Sequence, residues 1–234
     1  MTGLSNIVTN PYLILLLLCH LLSDYYFQSQ KMADRKDQDK KVSGLHILYV
    51  ALPLIVVVLV HLDLWWICLI ILLTHAGIDA GKPWLQKTLK LKNSWTFALD
   101  QFLHVGIITS LVLFGAKNGT TYLPLDTSNL IFYVLLVGKP TNIAFKILFA
   151  KYQPNMKKKM DTITGAGSMI GFLERLVIGA CLVYGQFASI GLVFTAKSIA
   201  RYNKISENPA FAEYYLIGSL FSILSALFAA WLCL

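Results

Sequence analysis

Four apolar segments carry seven His and Asp residues between them: CHLLSDYYF (His20, Asp24), GLHILYV (His46), LLTHAGIDAG (His75, Asp79) and FALDQFLHV (Asp100, His104). Ionisable groups are costly in hydrocarbon and usually face a bundle interior or a cavity, so each marks a functional site. Neutral imidazole nitrogen and carboxylate oxygen are together a ligand set for zinc, iron or manganese. A divalent metal, zinc first, held as one or two ions by all seven residues is therefore the expected cofactor. Such a metal lowers the pKa of a bound water and polarises an ester or phosphoester.

Residues four apart share one helix face, so His20/Asp24, His75/Asp79 and Asp100/His104 each form a two-pronged unit. Seven donors exceed one tetrahedral ion. Two metals sharing a bridging carboxylate, or one metal with outer Asp–His pairs that fix imidazole tautomers, would both use the surplus. Without metal, each His would hydrogen-bond the Asp one turn away. Asp24, Asp79 and Asp100 are the candidate catalytic carboxylates, any one of them a general base if it is not a ligand. Gln28 and Gln101 are placed to support the site, Ser23 and Thr74 fall on other faces, and His61, beside Asp63, reads as an exposed loop histidine.

These residues need helices to position them. The 234-residue chain is 56% apolar and 14% charged, far below the roughly 25% charge of soluble domains. Eight segments approach the length of a bilayer span: 6–28, 42–60, 64–84, 95–115, 128–150, 165–184, 187–202 and 211–234, the seventh short and amphipathic. The fold expected is an all-α polytopic membrane bundle, one integral domain over 1–234, with a His/Asp-bearing four-helix half (1–116) and a second half (117–234). The net charge of +8 lies in short links rather than on a nucleic-acid-binding stripe. Cys19, Cys68, Cys181 and Cys233 have no paired spacing and read as core residues. The first segment lacks a basic flank and a cleavage site, and reads as a retained helix.

Basic residues alternate between links: Lys31, Arg35, Lys36, Lys40 and Lys41, then Lys82, Lys87, Lys90 and Lys92, then Lys151 and Lys157 to Lys159. The positive-inside rule places these links in the cytoplasm and both termini outside. The first and third segments then descend to the cytoplasm while the fourth ascends. The reversed order Asp100–His104 thus puts Asp shallow and His deep in all three pairs. At 1.5 Å per residue the carboxylates and His46 lie roughly 5–8 Å, and the other imidazoles roughly 10–14 Å, from the cytoplasmic ends.

The second half is different. Lys139 sits mid-helix in VGKPTN, where Pro140 can bend the backbone, Glu174 and Arg175 lie in GFLERLVIG, and Lys197 and Arg201 share a face. Either the acids and bases pair and lock the helices, or Lys139, Arg175 and Arg201 bind an anionic substrate group beside the metal.

The stretches HLLSDYYFQSQKMA, GLHILYV, THAGIDAGK and LDQFLHV resemble the bacterial integral-membrane family called domain of unknown function 3307, and GFLERLVIG, GQFASIGLVFTAKSIARY and FAEYYLIGSL resemble the C-terminal part of its longer members. The resemblance implies a bacterial inner-membrane protein and carries no activity. The H-x-x-x-D pairs in successive helices also resemble those of inner-membrane metal-dependent hydrolases. The function expected is a membrane-embedded, metal-dependent hydrolase of an amphiphilic ester or phosphoester at the cytoplasmic leaflet, with membrane lipid, anionic lipid or a lipid-linked substrate as partner. A divalent-cation or proton transporter using the same residues and a non-enzymatic scaffold are the alternatives, and a homo-oligomer is compatible with each.

Overall fold

A computed structural model of the chain describes residues 10–116, 119–154 and 163–234. The described residues form helices joined by short links. In chain order these are α1 (Pro11–Leu21), α2 (Gln30–Arg35), α3 (Lys40–Val60), α4 (Trp65–Thr88), α5 (Asn93–Gly115), α6 (Leu125–Leu136), α7 (Lys139–Leu148), α8 (Ala166–Val183), α9 (Phe187–Ile199), α10 (Tyr202–Glu207) and α11 (Pro209–Cys233). Six helical segments among them are long and apolar enough to cross a membrane, while Pro11–Phe27 and Phe187–Ile199 are apolar but shorter. The described parts of all eight expected segments are thus largely helical. The chain is an all-α helical bundle of membrane type. Lys157 to Lys159 fall outside the described residues.

The helices group into two compact units, one holding the described residues up to Phe132 and the other Tyr133–Leu234. In the first, α1 is buried on almost every side, whereas α3, α4 and α5 each turn one stripe inward and leave the rest exposed. On α3 the buried residues are His46, Val50, Leu54 and Val57, while Leu48, Leu52, Ile55 and Leu59 are exposed. On α5 they recur every fourth residue, Thr96, Asp100, His104, Ile108 and Val112, along the i±4 ridge that packs into a neighbouring helix. Site residues and apolar core residues therefore occupy one continuous stripe. Lipid is as apolar as leucine, so close packing and satisfied polar groups hold such helices together rather than burial of hydrocarbon. Gly115 of α5 serves that packing: a Cβ there would run into the Trp66 ring of α4.

Two departures from regular helix matter. After His20, α1 widens into a π-helical turn, Leu22–Phe27, closed by Gln28 N–H donating to the Ser23 carbonyl at 3.2 Å. Such turns are rare and frequently sit at functional sites. In the fifth segment the sequence predicts a bend at Pro140, and the structure has a break: α6 ends at Leu136, and α7 restarts at Lys139 with proline in its first turn, where its missing N–H removes no helical bond. The Leu136 carbonyl accepts from Thr141 Oγ1 at 2.8 Å, and the Val137 carbonyl accepts from Arg175 Nε at 2.6 Å. Broken backbone inside a bilayer persists where side chains take up the freed groups in this way.

Candidate metal centre

All seven sequence-predicted ligands are buried and lie in the first unit. Helix α1 and its π turn supply His20 and Asp24, α3 supplies His46, α4 supplies His75 and Asp79, and α5 supplies Asp100 and His104. The buried stripes of α3, α4 and α5 bring them to one level, and the π turn sets the direction of Asp24. Their ligand atoms fall into three overlapping groups, His20/Asp24/His75, His46/His75/Asp79 and Asp79/Asp100/His104, each within 4.8 Å. His75 and Asp79 belong to two groups apiece.

The tightest part involves His46 Nε2, His75 Nε2, Asp24 Oδ1 and Asp79 Oδ2. His46 Nε2 lies 3.2 Å from His75 Nε2, 3.7 Å from Asp24 Oδ1 and 3.3 Å from Asp79 Oδ2, while His75 Nε2 lies 3.5 Å and 3.6 Å from the same two oxygens. Four ligands at zinc-like bond lengths of about 2.0–2.1 Å on a tetrahedron are separated from one another by about 3.3–3.4 Å. The five separations bracket that value.

His46 Nε2 and His75 Nε2 share a hydrogen bond, while the hydrogen bonds of His104 and His20 leave lone pairs pointing inward. His104 Nδ1 donates to the Asp100 carbonyl at 2.8 Å; a carbonyl only accepts, so in the neutral ring Nε2 carries the lone pair. That Nε2 is buried without a hydrogen-bond partner among the described residues, as are Asp24 Oδ1 and Asp100 Oδ1. His20 Nε2 meets Gln101 Oε1 at 3.3 Å, and Gln101 Nε2 donates to Asp100 Oδ2 at 3.1 Å. This pairing makes His20 Nε2 the donor and leaves its Nδ1 lone pair 3.8 Å from Asp24 Oδ2. Gln101 thus supports the site as the sequence suggests, while the buried Gln28 Oε1 has no partner among the described residues. Buried acceptors facing one another are costly unless a cation or proton lies between them.

Two lysines whose place in the links marks them only as topology signals belong to this site. Lys36 donates to Asp79 Oδ2 at 2.9 Å and to Oδ1 at 3.1 Å, and Lys82 Nζ lies 3.7 Å from Asp100 Oδ1. Lys36 follows α2, outside the spanning segments. Burial alone would lower its pKa, but Asp79 and then Asp24 hold it above the ordinary 10.5. Lys82, three residues after Asp79, is legible as an i+3 neighbour on α4. Beside it an apolar groove of about 210 Å³ runs between α4 and α5, lined by Ile78, Leu85, Leu99 and Leu103, with Asp100 and Lys82 as its charged groups.

His61 needs a correction. It is buried rather than exposed, its ring 5.3 Å from Tyr12 and 5.9 Å from Tyr122 between centroids; aromatic neighbours that sequence proximity does not reveal cover it. It is absent from the three ligand groups. Along α3 and α5 the buried stripe beyond the cluster is apolar, Val50, Leu54 and Val57 on one and Ile108 and Val112 on the other.

The expected substrate-binding cations lie in the second unit. Lys139 is exposed, and Arg201 lies at the end of α9, half-buried. Arg175 is buried and donates to the Val137 carbonyl and, from Nη2, to Asn142 Oδ1 at 2.7 Å. Glu174 pairs with Lys197 at 2.8 Å, one of the acid–base pairings the sequence allows.

Residues 12–131, just over half of the 234-residue chain, match the family DUF3307, described as protein of unknown function. The chain belongs to this family. The matched residues include all seven His and Asp of the cluster together with Lys36 and Lys82, whereas GFLERLVIG and the later stretches lie beyond them. No curated protein and no solved structure matches the chain.

Proposed function

We propose that this DUF3307 member is a membrane-embedded, metal-dependent hydrolase of an amphiphilic phosphoester or ester, with its site open to the cytoplasmic leaflet of a bacterial inner membrane. The observation that carries the reading is the set of four ligand atoms from three helical segments, 3.2–3.7 Å apart over the measured pairs. The separations of these five pairs fit the spacing of ligands around a divalent ion, and the acceptors without a hydrogen-bond partner fit a cation between them. His46, His75, Asp24 and Asp79 would hold one ion, zinc first by donor chemistry. Asp79, Asp100 and His104 would hold a second, with Asp79 as the shared carboxylate.

Bound metal would supply an acidified water and a Lewis acid for the scissile ester. The chain's own residues would do the rest. With the first ion alone bound, Asp100, on the wall of the groove and with no hydrogen bond to Oδ1 among the described residues, would be free of metal and would take a proton as general base. Lys36 and Lys82, whose ammonium groups face Asp79 and Asp100, favour an anionic phosphoester over a neutral ester. The groove's leucines and isoleucine would seat an acyl or prenyl chain.

A transporter using the same residues would need polar groups continuing across the membrane, whereas the stripes of α3 and α5 beyond His46 and His104 are apolar. The test is product release from a panel of phospholipid and polyprenyl phosphoesters by the full chain in nanodiscs, beside divalent-ion flux in proteoliposomes. The expected result is hydrolysis that disappears in His75→Ala. Metal-dependent flux without hydrolysis of any substrate in the panel would replace this reading with the transporter.

A further inference from the structure

The second unit contains a cavity of about 380 Å³ enclosed by α7, α8, α9 and α11 and the start of the link after α9. None of its lining residues belongs to the His/Asp cluster, and all lie beyond the residues matched to DUF3307. Arg175, Lys197, Arg201 and Lys146 line it against a single carboxylate, Glu174. The excess of positive charge in a partly apolar site selects an anion.

The buried groups are specific about that anion. Arg175 is fixed by the Val137 carbonyl through Nε and by Asn142 through Nη2, and reaches Ser222 only at 3.4 Å from Nη1. A guanidinium has five N–H groups, so some remain for a ligand. Gly171 leaves the space in front of it open, since a Cβ there would come within 3.1 Å of Nη1. Lys197 joins Glu174 Oε2 and Ser219 Oγ at 2.8 Å and 3.1 Å. The other oxygen, Glu174 Oε1, is buried with no hydrogen-bond partner among the described residues. A carboxylate oxygen only accepts, so it calls for a donor from the occupant.

The remaining wall is aromatic. Phe145 packs against Tyr214 and Phe221 with ring centroids 5.4 Å and 5.5 Å apart, and all three line the cavity. Lys146 near the end of α7, Ser168 at the start of α8, Arg201 after α9 and Phe211 in the first turn of α11 also line it. The cavity therefore opens at helix ends, at the level of a headgroup region.

We propose that this cavity is a binding site for a membrane lipid whose phosphate headgroup carries a hydroxyl or ammonium donor. Arg175 and Arg201 take the phosphate oxygens, Glu174 Oε1 accepts from the headgroup donor, and Phe145, Tyr214 and Phe221 hold the first part of the acyl chain. The proposal does not depend on the hydrolase reading.

The test is equilibrium binding of short-chain phosphatidylglycerol, phosphatidylethanolamine and phosphatidylcholine, and of inorganic phosphate, to the detergent-purified full chain, read by native mass spectrometry. Phosphatidylcholine has the phosphate and the chains but no headgroup donor. Phosphatidylglycerol and phosphatidylethanolamine are expected to bind about ten-fold more tightly than phosphatidylcholine. Arg201→Gln is expected to weaken all three lipids by about ten-fold, and Glu174→Gln to erase the headgroup preference. Repeating the series in a His75→Ala background, where the first-unit site is disabled, should preserve the headgroup preference and its loss in Glu174→Gln, which separates this site from the metal cluster. Equal binding of the three lipids, or no change in Arg201→Gln, would overturn the proposal. Inorganic phosphate binding as tightly as the lipids would overturn it in favour of a soluble anion.

Discussion

Both units bury ionisable groups among apolar helices, and they treat them in opposite ways. In the first unit, imidazoles and carboxylates crowd together with lone pairs facing each other, and Asp24 Oδ1, Asp100 Oδ1 and His104 Nε2 have no hydrogen-bond partner among the described residues. In the second, Arg175 is tied to the Val137 carbonyl and Asn142, and Glu174 Oε2 to Lys197, with Glu174 Oε1 the one buried carboxylate oxygen there that has no hydrogen-bond partner among the described residues. One set is rich in acceptors and suited to a cation; the other is rich in donors and is largely occupied holding a broken helix. A buried charge in a membrane protein is therefore not informative by its presence alone. What distinguishes ligand from brace is whether its neighbours complete its bonds.

The contrast can be broken most forcefully at the shared ligands. Asp79→Asn and His75→Ala remove groups common to two of the three ligand sets, so metal affinity is expected to fall more than about 100-fold, against about 10–100-fold for His20→Ala. Competition with a chelator of known affinity measures this. Equal losses at all positions would erase the distinction between shared and peripheral ligands.

The brace predicts a different failure. Arg175→Met leaves the Val137 carbonyl and Asn142 without their donor, at a cost of about 3 kcal/mol, visible as a lower unfolding midpoint in mixed micelles. Metal content in the folded fraction should be unchanged. Loss of metal in this variant would show that the metal cluster depends on the second unit.

A smaller effect of opposite sign is expected at Lys36, whose ammonium competes with any cation for Asp79. Lys36→Met should tighten metal binding by about ten-fold. Asp79 keeps the Lys36 pKa above 10.5, so the competing charge is complete below that value and disappears only as pH rises through the raised pKa. The ratio of variant to wild-type affinity should thus stay flat from about pH 6 to 9. The smallest effect concerns packing alone: Gly115→Ala forces its new methyl into Trp66 and should cost about 1–2 kcal/mol of stability with no change in metal stoichiometry.

Much of the first unit is legible in the amino-acid sequence. The four-residue spacing of His20/Asp24, His75/Asp79 and Asp100/His104 dictates shared faces, and the alternating basic links put those faces at one depth. The π turn at Leu22–Phe27 is not legible, because its wider backbone bonding leaves no mark in the residue types of LLSDYYF. Lys36 reads as a topology signal because charge counts in a link say nothing about which ammonium folds back over a carboxylate. The second unit is less transparent. Pro140 announces an irregularity, but its form, a break sealed by Arg175 from 38 residues beyond Val137, depends on a tertiary contact. Likewise His61, which its place in a short link would leave exposed, is covered by Tyr12 and Tyr122 from elsewhere in the chain.

The central claim is that the first unit holds a divalent metal, and elemental analysis of the detergent-purified full chain tests it most directly. One or two equivalents of a single divalent metal per chain, with zinc expected first, retained through gel filtration and lost in Asp79→Asn, is the predicted result. A fully folded, metal-free wild type that fails to take up zinc, iron or manganese on titration would contradict it.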